Sequence, residues 1–383
     1  MNIFEEESDS DNEAYEGLVE SRHIPNTSFD DPLICFNLHH EQNLVAAGLV
    51  TGKIKMIQFS KDEQKEVAEF NYHKESCRSV LFSHQENILY TGSKDRSICV
   101  YDLENFSQAM FIEDAHDDAI NCLYEIGKNR LISGDDGGVI KIWDLRQEKA
   151  IKTIEENDDY ITALKTDSAE TTLLATSGDG SLTSYNLLKN ELITVSEIYD
   201  DDLLSMEIIK DGSVLLCGTM SGAMLIFKWE FFGDKTDLFP GHQQAVTSII
   251  PFDQDSVITG SEDGFIRLIG IYPNKFYGII GQQNEAIDNL EFSHDKSYLV
   301  SSSSYGELQY FDALFLFDDN EDGNENENQN ENENENEKST MGIKNMNQEQ
   351  PKKRKKKKKK RNKNKNKKNN FIGKNQNNFF DKL

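Results

Sequence analysis

The twelve residues Ser133–Asp144, SGDDGGVIKIWD, decide the fold. The stretch begins with two small residues, continues through a turn rich in Asp and Gly, and ends in a strand that closes on an aromatic residue and an aspartate. Closely similar stretches are TGSKDRSICVYD at Thr91–Asp102 and TGSEDGFIRLIG at Thr259–Gly270. Recurrence of one pattern along a chain indicates an architecture built from structural repeats.

The second residue of each copy marks a regular period. The seven marker residues are Gly48, Gly92, Gly134, Thr176, Gly218, Gly260 and Ser302. The first interval is 44 residues and the other five are 42. Four residues after the marker, six copies of seven have a glycine, which a tight hairpin turn needs where φ is positive. Nine residues after it stand Ile57, Tyr101, Trp143, Tyr185, Phe227, Ile269 and Phe311.

Each repeat also has an apolar strand upstream of the marker, such as Ile120–Tyr124, so a repeat holds about four short strands. Four-stranded units of this length are typical of propeller blades. Seven units that close into a ring avoid the exposed sheet edges that an open stack of units would leave. The sequence therefore predicts an all-β, seven-bladed propeller, and we expect Glu20–Ile24 to supply the missing outer strand of the seventh blade.

Charge divides the 383 residues into segments, although the net charge is −27 overall. Residues 1–316 carry 23 basic and 56 acidic residues, whereas residues 351–383 carry 16 and 1. Polar tracts without apolar residues to bury are typical of disorder. We predict an acidic disordered segment at 1–19, the propeller at 20–317, an Asn/Glu-rich disordered linker at 318–350 and a Lys-rich tail with a terminal Phe motif at 351–383.

The composition also indicates the cellular compartment in which the protein is expected. No run of 18 apolar residues is present, and the first residues, MNIFEEESDSDNE, are the reverse of a basic, apolar signal sequence, so a membrane span and secretion are disfavoured. The five cysteines are scattered singly, which favours reduced, buried thiols. We expect a cytoplasmic or nuclear protein.

The dipeptides Trp143–Asp144 and Gly241–His242, together with the repeat spacing, resemble the WD-repeat family. The resemblance implies a hydrogen-bonded set of His, Asp, Ser or Thr, and Trp within a blade. No blade has the full set in the expected positions. Blade three has His116, Ser133 and Trp143 but Gly137 in place of the aspartate, and blade six has Ile269 in place of the tryptophan. We therefore expect weak polar networks and a ring held together by packing.

Three further segments resemble one branch of that family, whose members act in nucleolar ribosome biogenesis. They are LIFKWEFFGDKTDLF at Leu225–Phe239, YPNKFYGIIGQ at Tyr272–Gln282 and the terminal NNFFDKL, and the basic tail belongs to the same combination. The resemblance implies a scaffold without catalytic activity in pre-rRNA processing and pre-ribosome assembly. It implies a nuclear and nucleolar location, and basic proteins or peptides of pre-ribosomal particles as partners, with no small-molecule substrate.

Candidate catalytic and ligand-binding residues have structural explanations in the repeat. His116 and His242 fall where such blades use a buried histidine, and Asp95, Asp179 and Asp263 share one turn position. The glycine-rich turns lead from strand to strand and not into a helix that could hold phosphate. Cys35 with His39 or His40, and His73 with Cys77, supply two metal ligands at most. We predict no catalytic residue, no cofactor and no metal.

The loops that enter the inner strand of each blade carry carboxylates in six blades of seven. These residues are Asp30, Asp31, Glu75, Asp117, Asp118, Asp158, Asp159, Asp200, Asp201, Asp202 and Glu285. Because these loops share one rim of a propeller, the pattern predicts a negative mouth that attracts a basic partner. The alternative is that the acids only reflect common turn residues on an acidic protein.

The Lys-rich tail predicts an address and a weak contact with RNA. Its continuous basic run is Lys352, Lys353, Arg354, Lys355, Lys356, Lys357, Lys358, Lys359, Lys360 and Arg361. Such runs are typical of nuclear or nucleolar targeting and of non-specific contact with RNA phosphates. No aromatic residue interrupts the run, so base stacking is not predicted. The alternatives are an inert solvated tail, or a tail that neutralises the acidic tract before it.

A different class of function is indicated by Trp143-Asp144-Leu145-Arg146. This tetrapeptide resembles the box through which many WD-repeat adaptors dock onto a cullin-4 type ubiquitin ligase. Arg146 at this position also has a simpler explanation, which is an ion pair with a neighbouring acid. An adaptor role is therefore the alternative hypothesis to a nucleolar scaffold.

Overall fold

In the computed structural model, which describes residues 24–61, 63–303 and 306–317, the chain forms seven antiparallel sheets of four strands each. The strands follow one another in chain order within six of the sheets. Strand β1 (Thr27–Ser28) is the exception, because it joins the last sheet as its fourth strand. The predicted seven-bladed all-β propeller is confirmed.

The strands of the first three blades are described from the inner to the outer strand. Blade one contains β2 to β5 at Leu33–Leu38, Leu44–Leu49, Ile54–Phe59 and Gln64–Phe70. Blade two contains β6 to β9 at Cys77–Phe82, Ile88–Ser93, Ile98–Asp102 and Ser107–Ile112. Blade three contains β10 to β13 at Ile120–Glu125, Arg130–Asp135, Ile140–Asp144 and Lys149–Ile154.

The remaining blades repeat this order. Blade four contains β14 to β17 at Ile161–Thr166, Thr172–Ser177, Leu182–Asn186 and Glu191–Val195. Blade five contains β18 to β21 at Leu203–Ile209, Val214–Thr219, Ala223–Lys228 and Asp237–Pro240. Blade six contains β22 to β25 at Val246–Pro251, Ser256–Ser261, Phe265–Gly270 and Lys275–Gln282. Blade seven contains β26 to β28 at Ile287–Phe292, Tyr298–Ser303 and Glu307–Asp312, with a 3₁₀ turn at Leu314–Leu316 behind it.

The apolar core lies between neighbouring sheets. The second strand of a blade is covered on both faces, so that all six residues of β19, VLLCGT, are buried. The outer strand β17, ELITV, is largely exposed. One cluster joins Ala46 and Met56 of blade one to Phe82, Leu89 and Tyr101 of blade two. A blade therefore needs both neighbours to cover its faces, which is why the units close into a ring.

The N-terminal segment closes the ring, but at a later position than the sequence predicted. Thr27 pairs with Leu308 and Ser28 with Glu307, and the hydroxyls of Thr27 and Tyr310 share a hydrogen bond of 2.9 Å. Among the described residues the closing strand is Thr27–Ser28, whereas Ile24, the last residue of the segment expected at 20–24, is a buried core residue, 2% exposed, outside that strand. Residues 20–23 lie outside the described part of the chain. Pro25, between Ile24 and the strand, has no N–H to give to a sheet.

In five blades, the glycine four residues after the marker is required because the loop that leads to the next blade approaches it closely. Gly264 has φ of +80°, and its carbonyl accepts the N–H of Gln283 in the loop that leads into blade seven, at 2.9 Å. A Cβ atom on Gly264 would lie 2.4 Å from the Gln283 carbonyl oxygen. Arg96 is the exception at this position (φ 71°), and the corresponding hydrogen bond from His116 is stretched to 3.4 Å.

Blade three contains a complete polar network, which corrects the expectation of weak networks. The Trp143 indole N–H donates to Ser133 Oγ at 2.8 Å, and Ser133 lies 2.5 Å from His116 Nε2. His116 Nδ1 lies 2.7 Å from Asp135 Oδ2. The aspartate of the network is therefore Asp135, two residues before the expected position at Gly137. Its carboxylate also accepts the N–H groups of Gly137 and Val139, so it caps the turn between the second and third strands of the blade.

Other blades contain shorter versions of this network. In blade two, His73 contacts Thr91 Oγ1 at 2.7 Å and Ser97 Oγ at 2.9 Å, which gives this histidine a structural role. In blade six, His242 Nε2 contacts Thr259 Oγ1 at 2.8 Å, whereas its buried Nδ1 has no hydrogen-bond partner among the described residues. Burial lowers the pKa of His242 to about 4, so its ring is neutral at physiological pH.

A partly buried carboxyl group links blade seven to blade one. Glu291 accepts the Asn37 side-chain N–H at 2.8 Å and the Leu38 backbone N–H at 2.6 Å, while Asn37 Oδ1 accepts the Phe82 N–H of blade two at 2.8 Å. Burial raises the pKa of Glu291 to about 7, although both hydrogen bonds act in the opposite direction. One partly buried acid thus connects the inner strands where the ring closes.

The blade-three network should stabilise the fold more than its counterpart in blade six. We expect His116→Ala to cost about 3 kcal/mol in the free energy of unfolding, because Asp135 loses a buried partner. His242→Ala should cost about 1–2 kcal/mol, because one side-chain hydrogen bond is lost. Urea denaturation of both variants measures the difference, and equal losses would contradict a special role for the blade-three network.

Stability should also depend on the protonation of Glu291. Its pKa lies above the ordinary 4.5, so folding favours the protonated acid, and stability falls as the pH rises from 4.5 through 7. Relative to Glu291→Gln, the wild-type protein should lose about 2 kcal/mol between pH 5.5 and pH 8. Denaturation curves at both pH values measure this change. Glu307→Gln, which changes a partly exposed acid of blade seven, controls for net charge, and a constant difference between wild type and Glu291→Gln would refute the prediction.

Candidate interaction surface on the upper face

The predicted rim carboxylates all lie on one side of the ring. We call this side the upper face: it carries the loops from each outer strand to the next inner strand and the turns between second and third strands. Asp30 and Asp31 lie between β1 and β2, Glu75 between β5 and β6, and Glu285 between β25 and β26. The aspartate groups at 117–118, 158–159 and 200–202 lie in the equivalent loops of blades three, four and five. The opposite side is the lower face.

The loops surround a cavity of about 560 Å³ at the upper end of the central channel, which we call the mouth. One set of lining residues comes from equivalent positions on six inner strands: Arg78, Asn121, Thr162, Leu204, Thr247 and Asp288. Asp136, Met220 and Glu262 contribute from the turns between second and third strands, and Tyr160 from a loop. The mouth therefore combines acidic side chains with apolar ones such as Leu204 and Met220.

Arg78 is the one basic residue among the described lining residues, and its charge is already paired. Its Nη1 donates to both carboxylate oxygens of Asp136 at 2.8 Å and to Asn121 Oδ1 at 2.7 Å. The Asn121 side-chain N–H also donates to Asp136 at 2.7 Å. These contacts fix the three side chains across blades two and three. Arg78 therefore does not compensate the charge of the other two lining acids, Glu262 and Asp288.

The rim acids divide into two groups by their hydrogen bonds. Asp201 accepts the backbone N–H of Ser221 at 3.0 Å, and Asp202 accepts the Tyr160 hydroxyl at 3.0 Å. Partial burial, with Asp202 alongside, raises the pKa of Tyr160 to about 12. Within the described residues, by contrast, the side chains of Asp117, Asp158 and Asp200 accept no hydrogen bond, and all three are exposed. The second group is available to a partner without loss of internal contacts.

Reasoning from the sequence missed three acidic residues of the mouth. Asp136, Glu262 and Asp288 line the cavity, although none stands in the loops from which the rim was predicted. Glu262 gives an acid to blade six, whose loop has none. Asp136 and Glu262 each stand two residues after the marker of their repeat, so this position of the repeat is the signal that could have found them.

The repeated turn aspartates have the structural role that the sequence predicted. Asp95 accepts the N–H groups of Ser97 and Lys74 at 3.0 and 2.7 Å. Asp179 accepts those of Ser181 and Asp158 in the same way, at 2.8 Å each. In the described part of the chain, no three His, Cys, Asp or Glu side chains are grouped so that they could hold a metal ion.

The tetrapeptide behind the adaptor hypothesis lies on the lower face, where β12 ends. Arg146 donates to Asp144 through Nε at 2.8 Å and Nη2 at 2.7 Å, and this guanidinium holds the pKa of Asp144 well below its usual range. The Arg146 side chain remains 69% exposed. The ion pair explains the arginine without a partner protein, so docking through Trp143, Asp144 and Arg146 stays a prediction.

Seven four-stranded blades, a small-residue marker with a glycine turn, and the network of Trp143, Ser133, His116 and Asp135 define a WD-repeat β-propeller. Comparison with protein-family models gives a match to WDR55 over residues 24–316. The chain belongs to the WDR55 family. No helix among the described residues is long and apolar enough to cross a membrane.

Curated relatives agree with this assignment. WD repeat-containing protein 55 of Arabidopsis thaliana is 37% identical over 269 residues, which cover 70% of this chain and 76% of that protein. The WD repeat-containing protein 55 homologs of Drosophila erecta and Drosophila melanogaster are each 33% identical over 285 residues. That match covers 74% of this chain but 57% of each Drosophila protein, so the chain spans little more than half of their length.

Proposed function

We propose that this protein is a non-catalytic scaffold of nucleolar ribosome biogenesis, which acts in pre-rRNA processing or pre-ribosome assembly by binding basic proteins of pre-ribosomal particles at the mouth. The observation that carries the proposal is the surplus of carboxylates around a cavity whose single lining cation is already paired with Asp136. Membership of the WDR55 family and the resemblance to a nucleolar branch support the setting.

The mouth suits a basic partner for two physical reasons. Asp136, Glu262 and Asp288 line one concave surface, and the rim acids stand in loops on the same face. The walls of a cleft focus the field of like charges. The field speeds the encounter with a cation and repels other acidic surfaces. Tyr160, Leu204 and Met220 add apolar surface, against which the aliphatic part of a Lys or Arg side chain packs.

The Lys-rich tail at 351–383 lies outside the described residues, and its role is proposed from its sequence. Ten consecutive basic residues at 352–361 favour nuclear and nucleolar targeting together with non-specific contact with RNA phosphates. In this scheme the tail retains the protein where pre-ribosomes form, and the mouth selects a protein there.

Neutralising unpartnered acids of the mouth should weaken association with pre-ribosomal particles. We expect the variant with Asp117→Asn, Asp158→Asn, Asp200→Asn and Glu262→Gln to bind about tenfold less at low salt and to lose much of its salt dependence. Stability should change by less than about 1 kcal/mol, since exposed acids without partners contribute little. Co-sedimentation with pre-ribosomal particles across a salt series measures the effect.

The matched control removes four charges elsewhere, with Glu148→Gln, Glu191→Gln, Asp211→Asn and Glu230→Gln. These exposed acids lie in lower-face turns or at the lower end of an outer strand. The control should bind like wild type. If both variants lose binding equally, net charge alone matters, and if neither loses binding, the partner does not use the mouth.

Targeting is predicted to depend on the basic run. Deletion of residues 352–368 should release a fluorescently labelled protein from nucleoli, because the segment carries 14 of the 16 basic residues of the tail. Deletion of the equally long acidic segment 321–337 is the control and should leave the location unchanged. Retention of the first variant in nucleoli would assign targeting to the propeller.

A further inference from the structure

A second cavity, of about 170 Å³, opens at the lower ends of blades one and two. We call it the lower cleft. Its walls combine apolar side chains with side-chain amides, namely those of Met56, Leu103, Phe106, Gln42, Gln58 and Asn87. An apolar pocket with a few amide groups is the usual composition of a site that takes one side chain and its main chain. The cleft lies on the opposite face from the mouth.

Phe106 is held in an unusual backbone conformation beside this cleft. It occupies the turn between the third and outer strands of blade two with φ of 48°, and its side chain is 45% exposed. The equivalent residues of blades three and four are the polar Glu148 (φ 51°) and Asn190 (φ 60°). A bulky residue at positive φ is strained, and an exposed aromatic ring gains little from burial in return. The fold itself gives no reason for phenylalanine here.

The turn that forms another wall of the cleft has unsatisfied polar groups. This turn, His39–Leu44, contains two buried atoms without a hydrogen-bond partner among the described residues, His40 Nδ1 and Asn43 Oδ1. His40 is held by ring contacts at 4.7 Å to His39 and 5.2 Å to His84. Buried polar groups without partners are rare in native proteins, and they mark places where a partner is missing.

The charge around the cleft indicates which ligand fits. The four lower turns of blades one and two contain four glutamates and one lysine among their described residues, namely Glu41, Glu63, Glu86, Glu104 and Lys61. Glu86 pairs with Lys128 of blade three at 3.1 Å, whereas Glu63 and Glu104 have no ionic partner within the described residues. This surface repels phosphate groups and attracts cations.

We propose that the lower cleft binds an extended peptide of a partner protein, with one large apolar side chain inserted beside Phe106 and basic residues on either side of it. The inserted side chain packs on Val67, Leu103 and Phe106, and the amides of Gln42, Gln58 and Asn87 pair with the peptide main chain. The flanking cations face Glu63 and Glu104. This site is separate from the mouth, so the protein has one partner surface on each face.

The turn chemistry provides a variant that separates binding from folding. Asparagine adopts positive φ more readily than phenylalanine and already stands at the equivalent position 190. Phe106→Asn should therefore leave the melting temperature unchanged or raise it, while it removes the apolar wall of the cleft. Glu148→Asn makes the same change in the equivalent turn of blade three and is the matched control.

The probes are two fluorescein-labelled peptides, Gly-Lys-Leu-Lys-Gly and Gly-Lys-Ala-Lys-Gly, titrated against the full chain and followed by fluorescence anisotropy. We expect the Leu peptide to bind wild type and Glu148→Asn at least tenfold more tightly than the Ala peptide. Phe106→Asn should lose that preference. The proposal is overturned if Phe106→Asn keeps the preference, if the two peptides bind wild type equally, or if neither saturates at millimolar concentration. Displacement of the Leu peptide by a ten-residue oligouridylate, with oligouridylate binding lost in Phe106→Asn, would assign the cleft to nucleic acid and also overturn the proposal.

Discussion

The packing of each sheet against its two neighbours is the interaction on which the rest of the structure depends. A single blade exposes an apolar face on either side, and a cluster such as the one that joins Ala46 and Met56 to Phe82 and Tyr101 exists only between two blades. The ring therefore depends on all seven blades, and Thr27 and Ser28 close it by pairing with the third strand of blade seven. Close approach also explains the turn glycines, because a Cβ atom on Gly264 would collide with the carbonyl of Gln283.

Features with a strict period could be predicted from the sequence, whereas features that depend on the reach of a side chain could not. Blade number, strand order and the face that carries Asp117, Asp158 and Asp200 follow from a 42-residue spacing that the ring has to respect. The aspartate of the blade-three network was not predicted, because Asp135 stands two residues from the expected position and still reaches both His116 and the turn. A comparison of the repeats position by position does not detect an aspartate that has moved by two residues.

The same distinction holds for the mouth. Its rim could be predicted, since loops of one kind must share a face, but its lining depends on how far inner-strand side chains project into the channel. Arg78 stands at a position occupied by asparagine and threonine in the next two blades, so the repeat does not predict an ion pair there. Its pairing with Asp136 arises because the ring places blades two and three side by side. The position of the closing strand has a local explanation, because Pro25 has no N–H to give to a sheet and the described strand, Thr27–Ser28, follows it.

A rigid ring that carries the proposed mouth on one face and the proposed lower cleft on the other is suited to act as a scaffold. Each blade packs against two neighbours, hydrogen bonds join consecutive turns, and the partly buried carboxyl of Glu291 adds a link at the junction of blades seven and one. Such a body keeps the separation of its two faces constant, so a partner at the mouth and a peptide in the lower cleft would be held at a fixed distance and orientation. When both partners are bound to one ring, they encounter each other within a single complex. Their effective concentration for each other rises, although no new contact forms between them. The unpaired acids on the upper face and the exposed Phe106 ring on the lower face are costs to the isolated ring. A basic partner would offset the first by supplying charge, and a bound apolar side chain would offset the second by covering the ring.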